Sequence, residues 1–198
     1  DHPIVLYDYT PTRERAGPEK FLKGYRGYLQ ADAYGGYDAF FKDQARGMVE
    51  VGCMAHARRH FRKALESGQA RMGPALLLIA QLYRVEKQAG SLSAEDRLRL
   101  RRLEAKPILE KLHQYLVDIE AEVLPKSPEG RAVRYALKNW TALTRYAEDG
   151  NLEIDNNGTE RSIRGVAVGR ANWMFFGSDT GGNTAAVLRS FVASCQRV

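Results

Sequence analysis

From residue 57 to residue 149 the chain reads almost entirely as helix, and that tract of about 90 residues limits the fold more than any other feature. Gly73 and Pro74 open one helix through LLLIAQLYRVEK, with proline at the tolerated first position. Ser93, followed three residues later by Asp96, resembles a capping box with Asp in place of Glu, and it starts a helix running to about Val123. Leu98, Leu100, Leu103, Ile108, Leu112, Tyr115, Leu116 and Ile119 give that helix an apolar stripe of mainly helical spacing. Pro107 lies inside it and is expected to kink or split it. Ser127 and Pro128 begin another helix, for which Gly150 is a candidate C-cap.

Strand signals are confined to the flanks. Residues 3–10 (PIVLYDYT), 28–32 (YLQAD) and 48–53 (MVEVGC) read as strands, with Pro11 ending the first. Gly17 and Pro18 open a short helix to about Leu22, Gly35 and Gly36 break the chain before a helical turn at 37–42, and a long helix follows from about Ala55. Beyond the helical tract come a helix from about Asn157, a β-like run at 172–176, a GSDTGG turn and a closing helix from Thr184. The reading is an α/β core, residues 1–56 and 151–198, interrupted by a helical insertion at 57–150. The longest apolar run, 75–80, is far too short to span a bilayer. The amino terminus has no initiator Met and no signal-peptide pattern, so the sequence is expected to be part of a longer, cytoplasmic protein. Two cysteines, Cys53 and Cys195, fit a reducing compartment. A net charge of +6 and a pI near 9.4 favour polyanionic partners.

The segment LEIDNNGTERSIRGVAVGR, residues 152–170, sets Asp155, Asn156 and Asn157 before Gly158, then Glu160 among Arg161, Arg164 and Arg170. Capping explains part of this, since Asx side chains and an acid in a first turn both satisfy a helix start. A calcium loop fails, because Glu153, Asp155, Asn157 and Gly158 fit its early positions but Arg164 stands where the bidentate carboxylate belongs. A carboxylate metal site for phosphoryl transfer would need an acid from another element to join Glu160. Asp32, at the end of the 28–32 strand and followed by glycines, is the candidate. Arginines 161, 164 and 170 would then face phosphates.

Other clusters read more plainly. Cys53, His56 and His60 are too few for a closed zinc site, so a buried structural Cys with a hydrogen-bonded His is the favoured reading and a role near the active site the next. Arg58, Arg59, Arg62 and Lys63 share one helix, and Arg97, Arg99, Arg101 and Arg102 another, and solvated faces explain such runs. GSDTGG lacks the Lys-Ser/Thr of a P-loop, although amides heading the last helix could meet a phosphate. Trp140 and Trp173 are expected in the core.

The motifs YLQADAYGGYDAFF, VGCMAHARRHF and LEIDNNGTERSIRGVAVGRANWMFFGSDTGG occur in the order found in transposases of the insertion-sequence 66 family. That resemblance spans almost the whole chain. It implies a DDE enzyme with a ribonuclease-H-like core that cuts and joins DNA using Mg²⁺ or Mn²⁺. It carries the second and third acids of the triad onto Asp32 and Glu160, as metal ligands. The first acid is expected upstream, with Asp8 the only nearby substitute. Double-stranded DNA, both element ends and target, is the implied partner, contacted by Arg58, Arg59, Arg161, Arg164 and Arg170, and the active complex is expected to be a homo-oligomer. The rival readings are a truncated copy that binds DNA without catalysis and a ribonuclease-H-like nuclease or resolvase.

Overall fold

A computed structural model describes residues 4–12, 14–32, 37–169 and 177–196, the side chain of Gln44 excepted. The chain divides into two compact units, Gly27–Asn156 and the pair of segments Asp1–Arg26 with Asn157–Val198. The described residues are mostly helical, with one two-stranded parallel sheet. None of the described helices is long and apolar enough to cross a membrane.

In the larger unit, β1 (Gly27–Gln30) pairs in parallel with β2 (Met48–Val51), Gly27 opposite Met48 and Gln30 opposite Val51. Parallel pairing requires a crossover, and α2 (Asp38–Lys42) lies within it. Six helices follow: α3 (Met54–Glu66), α4 (Gly73–Ala89), α5 (Ala94–Leu100), α6 (Lys106–Glu120), α7 (Pro128–Lys138) and α8 (Trp140–Thr144). Residues 60–148 contain no strand. On α3, Met54, Ala57, Phe61 and Ala64 recur three and four apart and are buried, so one stripe faces inward. The small Ala132, Val133 and Ala136 of α7 let that helix seat against it, while Ile79 and Leu82 of α4 and Leu112 and Leu116 of α6 complete one core. Each large aliphatic buried there contributes about 1.5–3 kcal/mol.

Local chemistry accounts for the helix boundaries. The hydroxyls of Ser93 and Ser127 accept from the amides of Asp96 and Gly130, at 3.1 and 3.0 Å. Pro107 has no N–H, and its ring crowds the carbonyl four residues back. The helix responds with a π-type stretch at Arg101–Ala105, which separates α5 from α6 without interrupting the run. That run ends at Glu120, short of the expected Val123.

Gly150 is not a helix C-cap. The helices before it end at Lys138 and Thr144, and Gly150 lies in a turn where a Cβ would fall 1.7 Å from the Ala94 carbonyl oxygen. The cationic face expected at 97–102 also needs correction, because Arg101 is fully buried. Its guanidinium bonds both oxygens of Glu86, at 2.9 and 2.6 Å, and the carbonyls of Tyr146 and Asp149, each at 2.8 Å, and it lies 5.1 Å from the Tyr146 ring centroid. A buried guanidinium survives only with such complete pairing.

The smaller unit holds α1 (Ala16–Phe21), α9 (Asn157–Gly169) and α10 (Asp179–Cys195). The strand expected at 3–10 does not form among its described residues. Exposure alternates residue by residue from 4 to 10, as in a strand, but the partners are side chains. The amides of Val5 and Tyr7 donate to Ser194 and Ser190 of α10, at 3.0 and 2.8 Å, and Ser194 donates back to the Val5 carbonyl. Serines four apart on one helix thus take the place of a neighbouring strand. The GSDTGG turn is also revised: Ser178 caps α10 by accepting from the Gly181 amide at 3.0 Å, so the helix begins at Asp179 rather than Thr184. Gly182 is required there, since a Cβ would come within 2.4 Å of the Tyr9 ring. Gly35, Gly36, the β-like run at 172–176 with Trp173, and Arg170 lie outside the described residues.

Candidate functional site

Asp32 stands two residues past the end of β1. The preceding Ala31 is buried and bonds the Val51 carbonyl through its amide at 3.1 Å, so the ladder fixes the backbone up to the acid. The Asp32 side chain is 46 % exposed, and its Oδ2 lies 3.9 Å from Nε2 of His56, one turn into α3. Behind it, the Tyr135 hydroxyl of α7 donates to the Asp32 carbonyl at 3.4 Å. The acid is therefore anchored by its backbone and open at its carboxylate.

Gln30, the last residue of β1, joins distant parts of the sequence. Its Nε2 donates to the carbonyls of Gly52, at 3.2 Å, and Glu153, at 2.7 Å. Gly52 bonds the Ala142 carbonyl at 2.8 Å, so closely that a Cβ would meet Leu143 and Ala142 backbone at 3.0–3.1 Å. The Met54 amide at the start of α3 donates to the Ile154 carbonyl at 3.0 Å. Parts of all three motifs, QAD, VGC and LEIDNN, therefore meet on one edge of the unit Gly27–Asn156.

Asp155 is held by a distant residue: its Oδ2 accepts from the Tyr83 hydroxyl at 2.7 Å. Burial, then the bond to Asp155, pushes that hydroxyl far above its ordinary value of 10 and keeps it a donor. Arg58 lies over the Tyr83 ring, 5.5 Å from its centroid. Cys53 is buried, and burial raises its thiol although the amides of Asn156, His56 and Ala55 point toward it. A protonated, enclosed thiol fits the structural role. Both cysteines are free.

The expected site residues fall in both units. Asp32, Arg58 and Arg59 belong to Gly27–Asn156, the two arginines on the exposed side of α3. Glu160, Arg161 and Arg164 belong to α9 in the other unit, with Glu160 half-buried in its first turn and both arginines exposed. Arg161 shares a small cleft with Tyr7, Ser162 and Arg189.

Among the described residues no three His, Cys, Asp or Glu side chains cluster as a metal site. The chemistry of the available donors nonetheless suits a hard divalent ion. Asp32 presents a half-exposed carboxylate, and the buried Oδ1 of Asn156 accepts no hydrogen bond among the described residues. Both are the oxygen donors Mg²⁺ prefers.

Three elements of this site were not read from the sequence: the Gln30 bridge, the Tyr83–Asp155 bond and the approach of His56 to Asp32. They join residues between 22 and 123 positions apart, and only the single-letter order QAD, CMAH and EIDNN hints at them.

Comparison with known proteins places the chain in a family. A family model described as "Transposase IS66 family" matches residues 1–184. The uncharacterized proteins y4jD and y4hP of Sinorhizobium fredii (strain NBRC 101917 / NGR234) are each 32% identical to this chain over 98% of its length. So is y4qI of the same organism. The chain spans 39%, 38% and 37% of the lengths of these relatives. No solved structure matches. The chain belongs to the IS66 family of transposases.

Proposed function

We propose that these residues form part of the catalytic region of a DDE transposase, which cleaves and joins DNA strands by metal-dependent phosphoryl transfer. The observation that carries this reading is the placing of Asp32. It sits at the carboxyl end of a parallel strand, with its backbone fixed by the ladder and its carboxylate open, on the edge where the QAD, VGC and LEIDNN motifs meet. Asp32 and Glu160 would be two of the three acids that hold Mg²⁺ or Mn²⁺, with the Asn156 amide oxygen a further donor. The ions would lower the pKa of an attacking hydroxyl and stabilise the leaving oxygen. In this reading residues 1–56 and 151–198 contribute to a ribonuclease-H-like core and 57–150 form its helical insertion. The strand-free stretch from 60 to 148 supports a helical insertion, while the parallel pair packs into one compact unit, Gly27–Asn156, with those helices. Arg58, Arg59, Arg161, Arg164 and Arg170 would contact phosphates of the element ends and target in a homo-oligomeric complex.

The test uses the full-length protein with Asp32→Asn and Glu160→Gln. Each amide keeps the shape and removes the charge. Strand transfer is expected to fall about a hundredfold or more, equivalent to roughly 3 kcal/mol of transition-state stabilisation, with folding and DNA binding retained. Near-wild-type strand transfer in either variant overturns the assignment. DNA binding without cleavage in the unmodified full-length protein identifies a non-catalytic remnant instead.

A further inference from the structure

The α7 helix carries a row of cations that the readings above leave unused. Arg131, Arg134 and Lys138 are spaced i, i+3 and i+7, so they share one exposed face, while Ala132, Val133 and Ala136 are buried on the other against the core. They line an open groove of about 710 Å³, joined by Lys42 at the end of α2 and His60 of α3. Arg131 is held in place by a 2.6 Å bond from its guanidinium to the Lys126 carbonyl. Tyr135 stacks on His60, centroids 4.4 Å apart, and forms part of the groove wall.

Two carboxylates also line the groove, Asp38 and Glu50, against the four cations. Burial and then the charge of Asp38 raise the Glu50 carboxyl, and the charges of Arg145 and Lys138 only partly offset this. Among the described residues no carboxylate lies within ion-pair distance of Lys42, Arg131, Arg134 or Lys138. Four exposed cations lining one groove, none of them paired with a carboxylate among the described residues, are an electrostatic footprint for a polyanion.

We propose that this groove binds the sugar–phosphate backbone of duplex DNA and leads it to Asp32. Its place in the fold gives the direction: Tyr135, in the groove wall, is the residue whose hydroxyl bonds the Asp32 carbonyl. The dimensions fit as well. Seven residues of α-helix rise roughly 10 Å, about three steps of one DNA strand at 3.4 Å per phosphate. Contacts to phosphates alone read charge and spacing rather than base identity, so binding in the groove is expected to be independent of sequence.

This rests on the reading of the chain as a DNA transposase, and the experiment separates the two. Full-length wild type, an Arg134→Glu/Lys138→Glu variant and a Lys42→Glu variant are titrated with a random-sequence duplex across a salt series. All three positions are exposed, and matching thermal unfolding curves establish that the variants fold. The double variant is expected to lose roughly tenfold to a hundredfold in affinity near 0.1 M salt, and its slope of log affinity against log salt is expected to shallow by about two. Lys42→Glu shallows it by about one. Wild-type affinity and slope in both variants, with wild type binding DNA, overturn the groove and leave the transposase reading standing. Failure of full-length wild type to bind any duplex overturns both.

Discussion

Replacing Arg101 with methionine removes the most demanding electrostatic arrangement in the larger unit. The guanidinium is fully buried, paired with both oxygens of Glu86, whose side chain is itself only 12 % exposed, and bonded to two carbonyls of the 146–149 turn. Methionine fills much of the same volume, so the loss is electrostatic rather than a cavity. What remains is a buried carboxylate without its partner, and removing one member of such a pair costs about 3–5 kcal/mol. With a urea m-value of about 2 kcal/mol/M, the midpoint falls by roughly 1.5–2.5 M. Trp140 lies in the same unit, so its fluorescence in a Trp173→Phe background follows this unfolding. A Glu86→Leu/Arg101→Met double variant no longer strands a charge and should recover most of the loss, with about 2 kcal/mol remaining for the two carbonyl acceptors. A single variant that loses under about 1 kcal/mol, or a double variant no more stable than the single, refutes the argument that the pair anchors the turn leading to Asp155.

Gly150→Ala should cost about 2 kcal/mol or more, because its Cβ would fall 1.7 Å from the Ala94 oxygen and both backbones must separate; a melting temperature lower by roughly 4–8 °C checks this. Glu50→Gln should stabilise the unit at neutral pH. Its folded pKa is raised, chiefly by burial, so the stability it contributes is present below its ordinary 4.5 and is lost as pH rises through the folded value; equal stability of variant and wild type at pH 7 counts against this. His60 runs the other way. Burial, then Lys63, lowers its pKa below 6.5, so stability falls as pH drops from there toward the folded value, and His60→Gln should flatten that limb of the pH–stability curve. Charge reversal at Arg161 and Arg164 should shallow the salt slope of DNA binding by about two if both meet phosphates; an unchanged slope assigns those contacts elsewhere.

The parts of this fold that could be read in the sequence are those set by local chemistry. Ser93, Ser127 and the Gly73–Pro74 step mark helix starts by satisfying amides a few residues away, and the parallel strands at Gly27–Gln30 and Met48–Val51 follow their β-rich composition. Residues 4–10 misled because their period-2 pattern is real, while whether it becomes a strand depends on a partner, here serines nearly 190 positions away. GSDTGG misled because its glycines suggest a turn, yet Gly182 is present for the Tyr9 ring and Ser178 is the cap. Arg101 looked solvated among its arginine neighbours, since its partner Glu86 lies on a different helix. The α7 cations were passed over in the sequence, although Arg131, Arg134 and Lys138 stand at i, i+3 and i+7 opposite small apolar residues.

The site was legible as motifs but not as geometry, and Gln30 shows why. A two-stranded sheet of four-residue strands has little stability of its own, so β1 could not by itself hold Asp32 in a fixed place. The side-chain amide of Gln30 compensates by using both hydrogens on carbonyls from the two other motifs, at Gly52 and Glu153. That fastens the strand end to the start of α3 and to the segment that precedes Glu160. The glutamine in QAD is therefore as much a part of the arrangement as the acid two residues later. Its sequence signature carries no charge or metal-binding chemistry to draw notice, and its role exists only once residues 30, 52 and 153 are together. A half-buried amide at the end of a short strand, satisfied by two carbonyls from distant segments, ties the stability of this edge to the position of the Asp32 carboxylate.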